Sequence, residues 1–268
     1  MSTAKIRRVL GVGGSESAGV VGLGVDLRVF AAHGVHGCLA VSAVTAQPGG
    51  GCLGVGPGLL RAQVEAAGAV DAVKIGLLLS LPQATALVEC LGSRGVPWVY
   101  DPVFQSSDGH ALAQPSQWSL LTQRLLPHVA LITPNLGEAA AMLGEEIPDT
   151  DQAVEAAGRA ILDRGAAAVL MKGGHRGGAA VDILMSGDFV ERFESERQPG
   201  QFRGTGCLLS SSIAALLARG RSLRDAVAEA KDFVDGALHA AAENDGSVPH
   251  VFFEYYGAEG LPTSPDYS

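Results

Sequence analysis

The stretch of sequence that decides the fold class covers residues 129–138 and reads VALITPNLGE. Its first four residues are apolar and include Val and Ile, a pattern typical of a short buried strand. Pro134 then turns the chain, and Asn135 followed three positions later by Glu138 indicates the start of a helix. A strand that passes into a helix within ten residues is the building unit of a parallel α/β sheet.

The same alternation continues in both directions along the chain. Further strands are predicted at residues 9–12, 38–44, 72–75, 98–100 and 167–171, and further helices at 26–32, 57–70, 83–94 and 151–164, with a helix ending at 121–126. A hairpin at 181–185 and 189–193 and two helices at 205–218 and 222–242 complete the series. We therefore expect one α/β domain over residues 1–256, with a mainly parallel sheet covered on both faces, and a tail at 257–268.

Composition excludes several classes of function. The 268 residues carry a formal net charge of −9, which argues against nucleic acid as the main partner. No apolar stretch approaches the roughly 20 residues that a membrane span needs. The four cysteines are scattered and the seven histidines show no metal-binding spacing, so no zinc site is predicted. We expect a cytosolic protein.

The segment from Gly204 to Cys207, GTGC, precedes an apolar, helix-forming run. Two glycines allow the backbone close to a ligand, and the N–H groups of a first helical turn attract anions such as phosphate. An ordinary tight turn before a helix is the alternative interpretation. A thiol at a helix N-terminus should have a lowered pKa, so Cys207 is a candidate base towards a substrate hydroxyl or a residue that lines the pocket.

Polar residues follow several predicted strands, where the carboxyl ends of parallel strands meet. Asp101 ends one strand, and Asn135 with Glu138 share one helix face after the next. Such oxygen ligands suit Mg²⁺, although Asn135 and Glu138 could equally be a helix cap. Lys172 and Gly173 follow a third strand and fit a phosphate or nucleotide edge, or a solvated turn.

Residues 11–26 contain many glycines and have the character of a substrate loop. A dinucleotide fingerprint is the rival, but the third glycine of that motif is missing. An anion site, carboxylates suited to Mg²⁺ and a glycine-rich loop on one sheet edge together favour phosphoryl transfer, where catalysis is mostly positioning and charge neutralisation.

Over residues 9–251 the chain resembles the hydroxymethylpyrimidine/phosphomethylpyrimidine kinases of thiamine biosynthesis, in the ribokinase-like superfamily. The segments that carry the resemblance are 44–47 (VTAQ), 74–76 (KIG), 101–103 (DPV), 132–136 (ITPNL), 138–140 (EAA), 169–175 (VLMKGGH) and 204–207 (GTGC). In this family the last motif ends in Cys, where sugar kinases have Asp.

The resemblance implies a three-layer α/β/α fold, a homodimer, and ATP-dependent phosphorylation of 4-amino-5-hydroxymethyl-2-methylpyrimidine and of its monophosphate. By position it implies an anion hole at Gly204, Thr205 and Gly206, with Cys207 at the acceptor hydroxyl. Mg²⁺ would be organised by Asp101 and Glu138. The remaining implied contacts are to the pyrimidine, from Gly14, Asp26, Gln47 and Val103, and to the nucleotide, from Thr133, Asn135, Lys172 and Gly173.

Two segments depart from the family pattern. Residues 14–26 read GSESAGVVGLGVD, where the family usually has GSDSGGGAGIQAD. After Asp-Pro-Val the family usually has Lys-Ser-Gly, but this chain has Ser107-Asp108-Gly109. The missing lysine leaves three alternatives open: a kinase with a weaker second transfer, a pyridoxal or pyridoxine kinase of the same fold, and a non-catalytic pyrimidine-binding sensor.

Overall fold

The computed structural model describes residues 5–46, 51–105, 111–112, 115–174, 180–187, 189–200 and 202–243. Within these ranges nine strands form one sheet, in the order β3-β2-β1-β4-β5-β6-β7-β8-β9. The strands are β1 (Arg8–Glu16), β2 (His36–Thr45), β3 (Cys52–Gly54), β4 (Ala72–Ile75), β5 (Trp98–Tyr100), β6 (Leu131–Ile132), β7 (Val169–Met171), β8 (Ala180–Ser186) and β9 (Phe189–Ser195). The six central strands, in the order β2-β1-β4-β5-β6-β7, are parallel to one another. At one edge β3 pairs antiparallel with β2, and at the other edge β8 and β9 pair antiparallel with β7 and β8.

Helices cover both faces of the sheet. They are α1 (Leu23–Ala32), α2 (Pro57–Ala67), α3 (Leu81–Leu91), α4 (Pro115–Leu125), α5 (Leu136–Leu143), α6 (Asp151–Leu162), α7 (Thr205–Ala218) and α8 (Leu223–Glu243). Helices α2 to α6 pack their apolar side chains on one face, and α1, α7 and α8 pack on the other. The predicted three-layer α/β/α architecture with a mainly parallel sheet is therefore confirmed.

The chain reverses its direction across the sheet between β1 and β4. From β1 it crosses to β2 on one side, and it then returns through α2 to β4 on the other side. At such a switch point the connections after the two neighbouring strands leave in opposite directions and open a crevice beyond their carboxyl ends. Gly14 of β1 and the Lys74–Gly76 end of β4 lie at this crevice.

Most predicted elements are found with small shifts at their ends. The predicted helix 205–218 and the strands 72–75 and 98–100 coincide with α7, β4 and β5. The substrate loop predicted over residues 11–26 is wrong in part, because β1 continues to Glu16 and α1 begins at Leu23. Strand β3 was not predicted, since its three residues are exposed and lack an apolar pattern. The predicted tail at 257–268 lies outside the described residues.

Candidate active site

A cavity of about 1000 Å³ opens beyond the carboxyl ends of the parallel strands. It extends from Gly14 on β1, past the N-terminus of α7, to Lys231 on α8. A pocket for a single drug-sized ligand has between about 300 and 1000 Å³. The cavity is therefore at the upper end of that range, and it has lining residues on both sides of the N-terminus of α7.

The N-terminus of α7 forms the middle of the cavity wall. Gly204 caps this helix with a φ of 81°, in the left-handed region that favours glycine. A Cβ at Gly204 would also lie 2.3 Å from the carbonyl oxygen of Val20, so the loop before α1 packs directly on this turn. Thr205, Gly206 and Cys207 follow and line the cavity. The N-terminus of α7 therefore opens into the cavity, where the N–H groups of its first turn and the helix dipole attract an anion.

Lys172 and Asp101 form a charged pair beside this turn. The Lys172 ammonium lies 2.7 Å from Oδ1 of Asp101, and Thr133 donates its hydroxyl hydrogen to the same oxygen over 3.1 Å. Burial by itself would raise the pKa of Asp101, but the ammonium groups of Lys172 and Lys74 outweigh it and hold that pKa below its usual value. Asp101 is therefore ionised at neutral pH although it is buried.

Glu138 is shared between a helix cap and the same lysine. Asn135 and Glu138 form a capping box at the start of α5, with the backbone N–H of Asn135 donating to Oε2 of Glu138 over 2.7 Å. The Lys172 ammonium lies 3.5 Å from that oxygen. Burial raises the pKa of Glu138 to about 7, against the opposing effect of Lys172. The helix-cap interpretation of this pair is confirmed, and Glu138 of the cap also lines the cavity.

A second buried ion pair lies on the other side of the α7 turn. The Lys74 ammonium contacts both carboxylate oxygens of Asp26, at 2.9 and 3.0 Å, and Ser211 donates to Oδ1 of Asp26 over 2.7 Å. Asp26 is fully buried, whereas Lys74 reaches the cavity wall next to Gly76.

Serines on the second turn of helix α7 reach both carboxylates, Asp26 by a short hydrogen bond and Asp101 by a long one. Ser210 lies 3.5 Å from Oδ2 of Asp101, and Ser211 binds Asp26. Because these serines are four positions after Gly206 and Cys207, they lie one turn behind the residues that line the cavity. The N-terminus of α7 is therefore fixed between Lys172 on one side and Lys74 on the other.

The far end of the cavity is formed by β8, β9 and α8. Lys231 lies 3.0 Å from Oδ2 of Asp182, whose Oδ1 accepts the backbone N–H of Gly173 over 2.7 Å. The hydroxyl oxygen of Ser195 is buried here without a hydrogen-bond partner within the described ranges. This end offers polar groups to a ligand and fixes the turn that follows Lys172.

Comparison with known proteins shows the family. The phosphomethylpyrimidine kinase family profile matches residues 16–250. The hydroxymethylpyrimidine/phosphomethylpyrimidine kinase of Rhizobium meliloti is 38% identical over 240 residues, which cover 87% of this chain and 90% of that relative. The crystal structure of the phosphomethylpyrimidine kinase of Clostridium difficile 630 has a TM-score of 0.76 and 33% identity, covering 87% of this chain and 100% of the other. The chain belongs to the phosphomethylpyrimidine kinase family.

Membership in the phosphomethylpyrimidine kinase family makes the protein a phosphotransferase. The pyridoxal kinase of Staphylococcus aureus in complex with AMP-PCP and pyridoxal has a similar fold, with a TM-score of 0.81 and 25% identity over 88% of each chain. The ribokinase-like fold expected from the resemblance is confirmed by these neighbours. The fold is common to pyrimidine and pyridoxal kinases, so the fold alone does not select the acceptor.

Most of the predicted site residues lie together at the cavity. Those that line it are Gly14, Asp101, Val103, Asn135, Glu138, Lys172, Gly204, Thr205, Gly206 and Cys207. Gln47 lies outside the described residues, as do Ser107, Asp108 and Gly109.

Three predicted residues lie behind the cavity wall instead. Their ligand contacts stay predictions, and in the structure each has its polar group or its space taken by the protein itself. Asp26 is bound to Lys74 and Ser211, and Thr133 donates to Asp101. Gly173 gives its N–H to Asp182, and a Cβ there would lie 2.0 Å from the carbonyl oxygen of Val181. These residues support the groups that line the cavity.

The lowered pKa expected for Cys207 is wrong. Burial raises the pKa of the thiol and outweighs the favourable charge of Lys74 and the N–H of Gly22. Here the free energy lost by desolvating a thiolate exceeds the stabilisation that the helix N-terminus gives to it. Cys207 is therefore a protonated side chain at neutral pH, which favours its role as part of the pocket wall.

Sequence reasoning gave no role to Lys74, Asp182 or Lys231. For Lys74 a signal existed, because a lysine inside the apolar strand AVKI is unusual and implies a buried partner. For Asp182 and Lys231, alternation along β8 and the 3.6-residue period of α8 do not reveal that the two side chains meet. In the described part of the chain no helix is long and apolar enough to cross a membrane, and no group of three His, Cys, Asp or Glu residues suits a metal ion.

Proposed function

We propose that the protein transfers the γ-phosphoryl group of ATP to the hydroxymethyl group of 4-amino-5-hydroxymethyl-2-methylpyrimidine, and then to the resulting monophosphate, in thiamine diphosphate biosynthesis. The observation that carries this proposal is the position of the α7 N-terminus between the Lys172–Asp101 pair and the Lys74–Asp26 pair, in the middle of one cavity. The names of the relatives supply the acceptor, and the AMP-PCP complex of a structural neighbour supports ATP as the donor.

Each side of the cavity takes one substrate in this proposal. The nucleotide lies on the side of Asn135, Lys172 and Lys231, and the pyrimidine lies on the side of Gly14 and Val103. The transferring phosphoryl group is held by the free N–H groups of Thr205 and Gly206. The Lys172 ammonium neutralises negative charge on the oxygens of the phosphoryl group. Because the transition state of phosphoryl transfer is loose, positioning and charge neutralisation are the main contributions that the protein makes.

The acceptor hydroxyl lies beside Cys207 in this arrangement. The thiol remains protonated, so it shapes the pocket and does not remove the hydroxyl proton, which passes to an oxygen of the transferred phosphoryl group and from there to water. Gln47 and Val103 remain predicted contacts of the pyrimidine. Asp26 acts on the same side through Lys74, whose ammonium it holds in place.

The carboxylates of Asp101 and Glu138 fit a magnesium ion. Mg²⁺ is usually held by one or two carboxylates together with substrate phosphates and waters, so a set of three protein ligands is not required. Within the described ranges, Oδ2 of Asp101 has one hydrogen-bond contact, the long one with Ser210, which leaves an anionic oxygen near Gly206 at the cavity. The ion would neutralise charge on the nucleotide phosphates when it is bound.

Two further expectations stay predictions. A homodimer is consistent with the exposed edge of the sheet, where Leu53 on β3 is 75% exposed next to its register partner Val44, which is 54% exposed. Size-exclusion chromatography with light scattering tests the dimer. The cytosolic location follows only from the sequence expectation and is tested by fractionation of the source cells.

A steady-state assay tests the function. ADP release and phosphorylated product are measured with ATP and Mg²⁺, using the pyrimidine alcohol, its monophosphate and pyridoxal as separate acceptors. Turnover of the pyrimidine alcohol is expected. Good turnover of pyridoxal without turnover of the pyrimidine would replace the proposal with a pyridoxal kinase. Pyrimidine binding in a calorimeter without any product would favour the sensor.

A further inference from the structure

Lys74 is a fixed cation on the acceptor side of the cavity. Alternation along β4 puts Ala72 and Lys74 on the face covered by α1 and α7, while Val73 and Ile75 pack on the opposite face. This face brings Lys74 to Asp26 on α1, at the point where β4 ends beside the switch crevice. The side chain is 1% exposed, yet it forms part of the cavity wall beside Gly76 and Cys207.

The Lys74 ammonium is held so that one N–H remains for a ligand. An ammonium group has three donors, and the two oxygens of Asp26 take two of them. No other described residue accepts from Lys74. A Cβ at Gly76 would lie 3.1 Å from Nζ, so the glycine leaves room for the ammonium at the wall. Burial by itself would lower the pKa of Lys74, but the Asp26 carboxylate outweighs it and keeps the ammonium charged.

The sequence offers few alternatives for a cation at this end. The described residues that surround the acceptor side, at 11–26, 42–46, 51–56, 76–82 and 101–105, contain no lysine or arginine. Arg203, one position before the α7 cap, is a further cation that lines the cavity. A neutral pyrimidine alcohol needs no such charge, whereas a phosphorylated acceptor brings a dianion next to the phosphates of the nucleotide.

We propose that Lys74, held by Asp26 and Ser211, binds the phosphate of the phosphorylated acceptor and thereby supports the second phosphoryl transfer more than the first. The inference rests on the proposed function. In the second transfer an oxygen of the acceptor phosphate forms a bond to the γ-phosphorus, the bond from that phosphorus to the β–γ bridging oxygen breaks, and ADP leaves. The ammonium reduces the repulsion between the two anions that must meet.

The test exchanges the ion pair for a neutral pair. In the double variant Lys74→Gln with Asp26→Asn, two amides of similar volume can hydrogen-bond to each other, which avoids an unpaired buried charge. Circular-dichroism melting confirms that the variant folds. Calorimetry without ATP then gives the affinity for the pyrimidine alcohol and for its monophosphate, and the assay gives kcat/KM for each transfer. Arg203→Gln is measured in parallel.

The double variant should bind the monophosphate about 10- to 100-fold more weakly, the loss expected for a charged hydrogen bond. The second transfer should fall to the same degree. Because Lys74 also helps to keep Asp101 ionised, the first transfer falls too, but the loss for the monophosphate should exceed the loss for the pyrimidine alcohol by at least about tenfold, in affinity and in kcat/KM. Equal losses for both acceptors would overturn the inference and show a structural role. Selective loss in Arg203→Gln instead would move the role to Arg203. A wild-type protein that does not phosphorylate the pyrimidine alcohol would overturn the proposed function itself.

If the double variant does not fold, Ser211→Ala gives a second measurement. Ser211 contacts Asp26 and not the cavity, so its loss loosens the ion pair without removing a charge. A smaller decrease, confined to the monophosphate, is expected. No change in the ratio of the two affinities would count against the inference.

Discussion

Lys172 lies with its ammonium 2.7 Å from Oδ1 of Asp101, a contact between residues 71 positions apart in the chain. The two residues come from the ends of β7 and β5, which β6 separates in the sheet. The same ammonium also lies within 3.5 Å of Glu138. One lysine therefore holds together the two carboxylates proposed for the metal, at the side of the helix N-terminus proposed for the phosphoryl group.

The first prediction concerns this lysine. Lys172→Met should lower kcat about 100- to 1000-fold, the usual effect of removing one charge-stabilising donor. Without the ammonium, burial raises the pKa of Asp101, and a higher pH is needed to ionise this carboxyl group. The pH at which activity begins to rise should therefore also increase. A pH–rate profile checks both effects. The same substitution at Lys231, which pairs with Asp182 farther along the cavity, should act mainly on the KM for ATP. An unchanged kcat in Lys172→Met would show that Lys172 does not stabilise the transferring phosphoryl group.

The second prediction concerns the space at Gly206. A Cβ there would lie 3.2 Å from the Lys172 ammonium and 3.5 Å from Oδ2 of Asp101. Gly206→Val should therefore reduce kcat by at least about 100-fold, because the anion site acts mainly in the transition state. Pyrimidine affinity, measured by calorimetry, should change little. Gly236→Ala on α8 is the control, since a Cβ there meets open space. Full turnover in Gly206→Val would exclude the anion-site role.

The third prediction concerns Cys207. Because burial raises the pKa of its thiol, the side chain carries a proton at neutral pH and cannot act as a base. Cys207→Ala should lower kcat by less than about tenfold, whereas loss of a general base costs roughly 100- to 10,000-fold. Steady-state kinetics with the pyrimidine alcohol give the answer. A loss above about 100-fold would restore the base role.

The fourth prediction concerns the pH dependence of nucleotide use. Burial raises the pKa of Glu138 to about 7, so the carboxyl group is largely protonated at pH 6 and ionised at pH 8. We expect kcat/KM for ATP with Mg²⁺ to rise as pH increases through about 7. Glu138→Gln should flatten this rise while the glutamine still caps α5. Glu145→Gln, at an exposed position after α5, is the matched control. If kcat/KM for ATP still rises through pH 7 in Glu138→Gln, the pH dependence comes from another titrating group.

The fifth prediction concerns stability at low pH. Burial, with a contribution from Arg219, lowers the pKa of His33 from 6.5 to about 4, and the imidazole is bonded to Ser212 over 2.6 Å. Between pH 6.5 and about 4 the unfolded chain therefore binds more protons at His33 than the folded protein does. The neutral imidazole contributes its full stability above pH 6.5, and this contribution is lost as the pH falls towards 4. The melting temperature should fall across this range, and less steeply in His33→Gln. His36→Gln, at an exposed site, should behave as the wild type.

Some of the site could be predicted because it lies within single segments. The capping box of Asn135 and Glu138 depends on a spacing of three residues, and the anion turn before α7 depends on Gly204 and Gly206. Such features are local in the chain, so sequence spacing is enough to predict them. The contacts of Asp26, Thr133 and Gly173 were predicted by position in a motif. The structure buries all three behind the cavity wall. Position in a motif does not predict this, because burial depends on the neighbouring strands and helices.

The sequence by itself determined the order of most strands and helices, the family and the location of the glycine turn before α7. These follow from apolar periodicity, glycine positions and motifs, which all act over a few neighbouring residues. Only the tertiary structure decided that Lys74 joins Asp26, that Lys172 joins Asp101 to Glu138, and that the Cys207 thiol stays protonated. Those properties depend on burial and on charges from distant strands, and both arise only when the sheet has assembled.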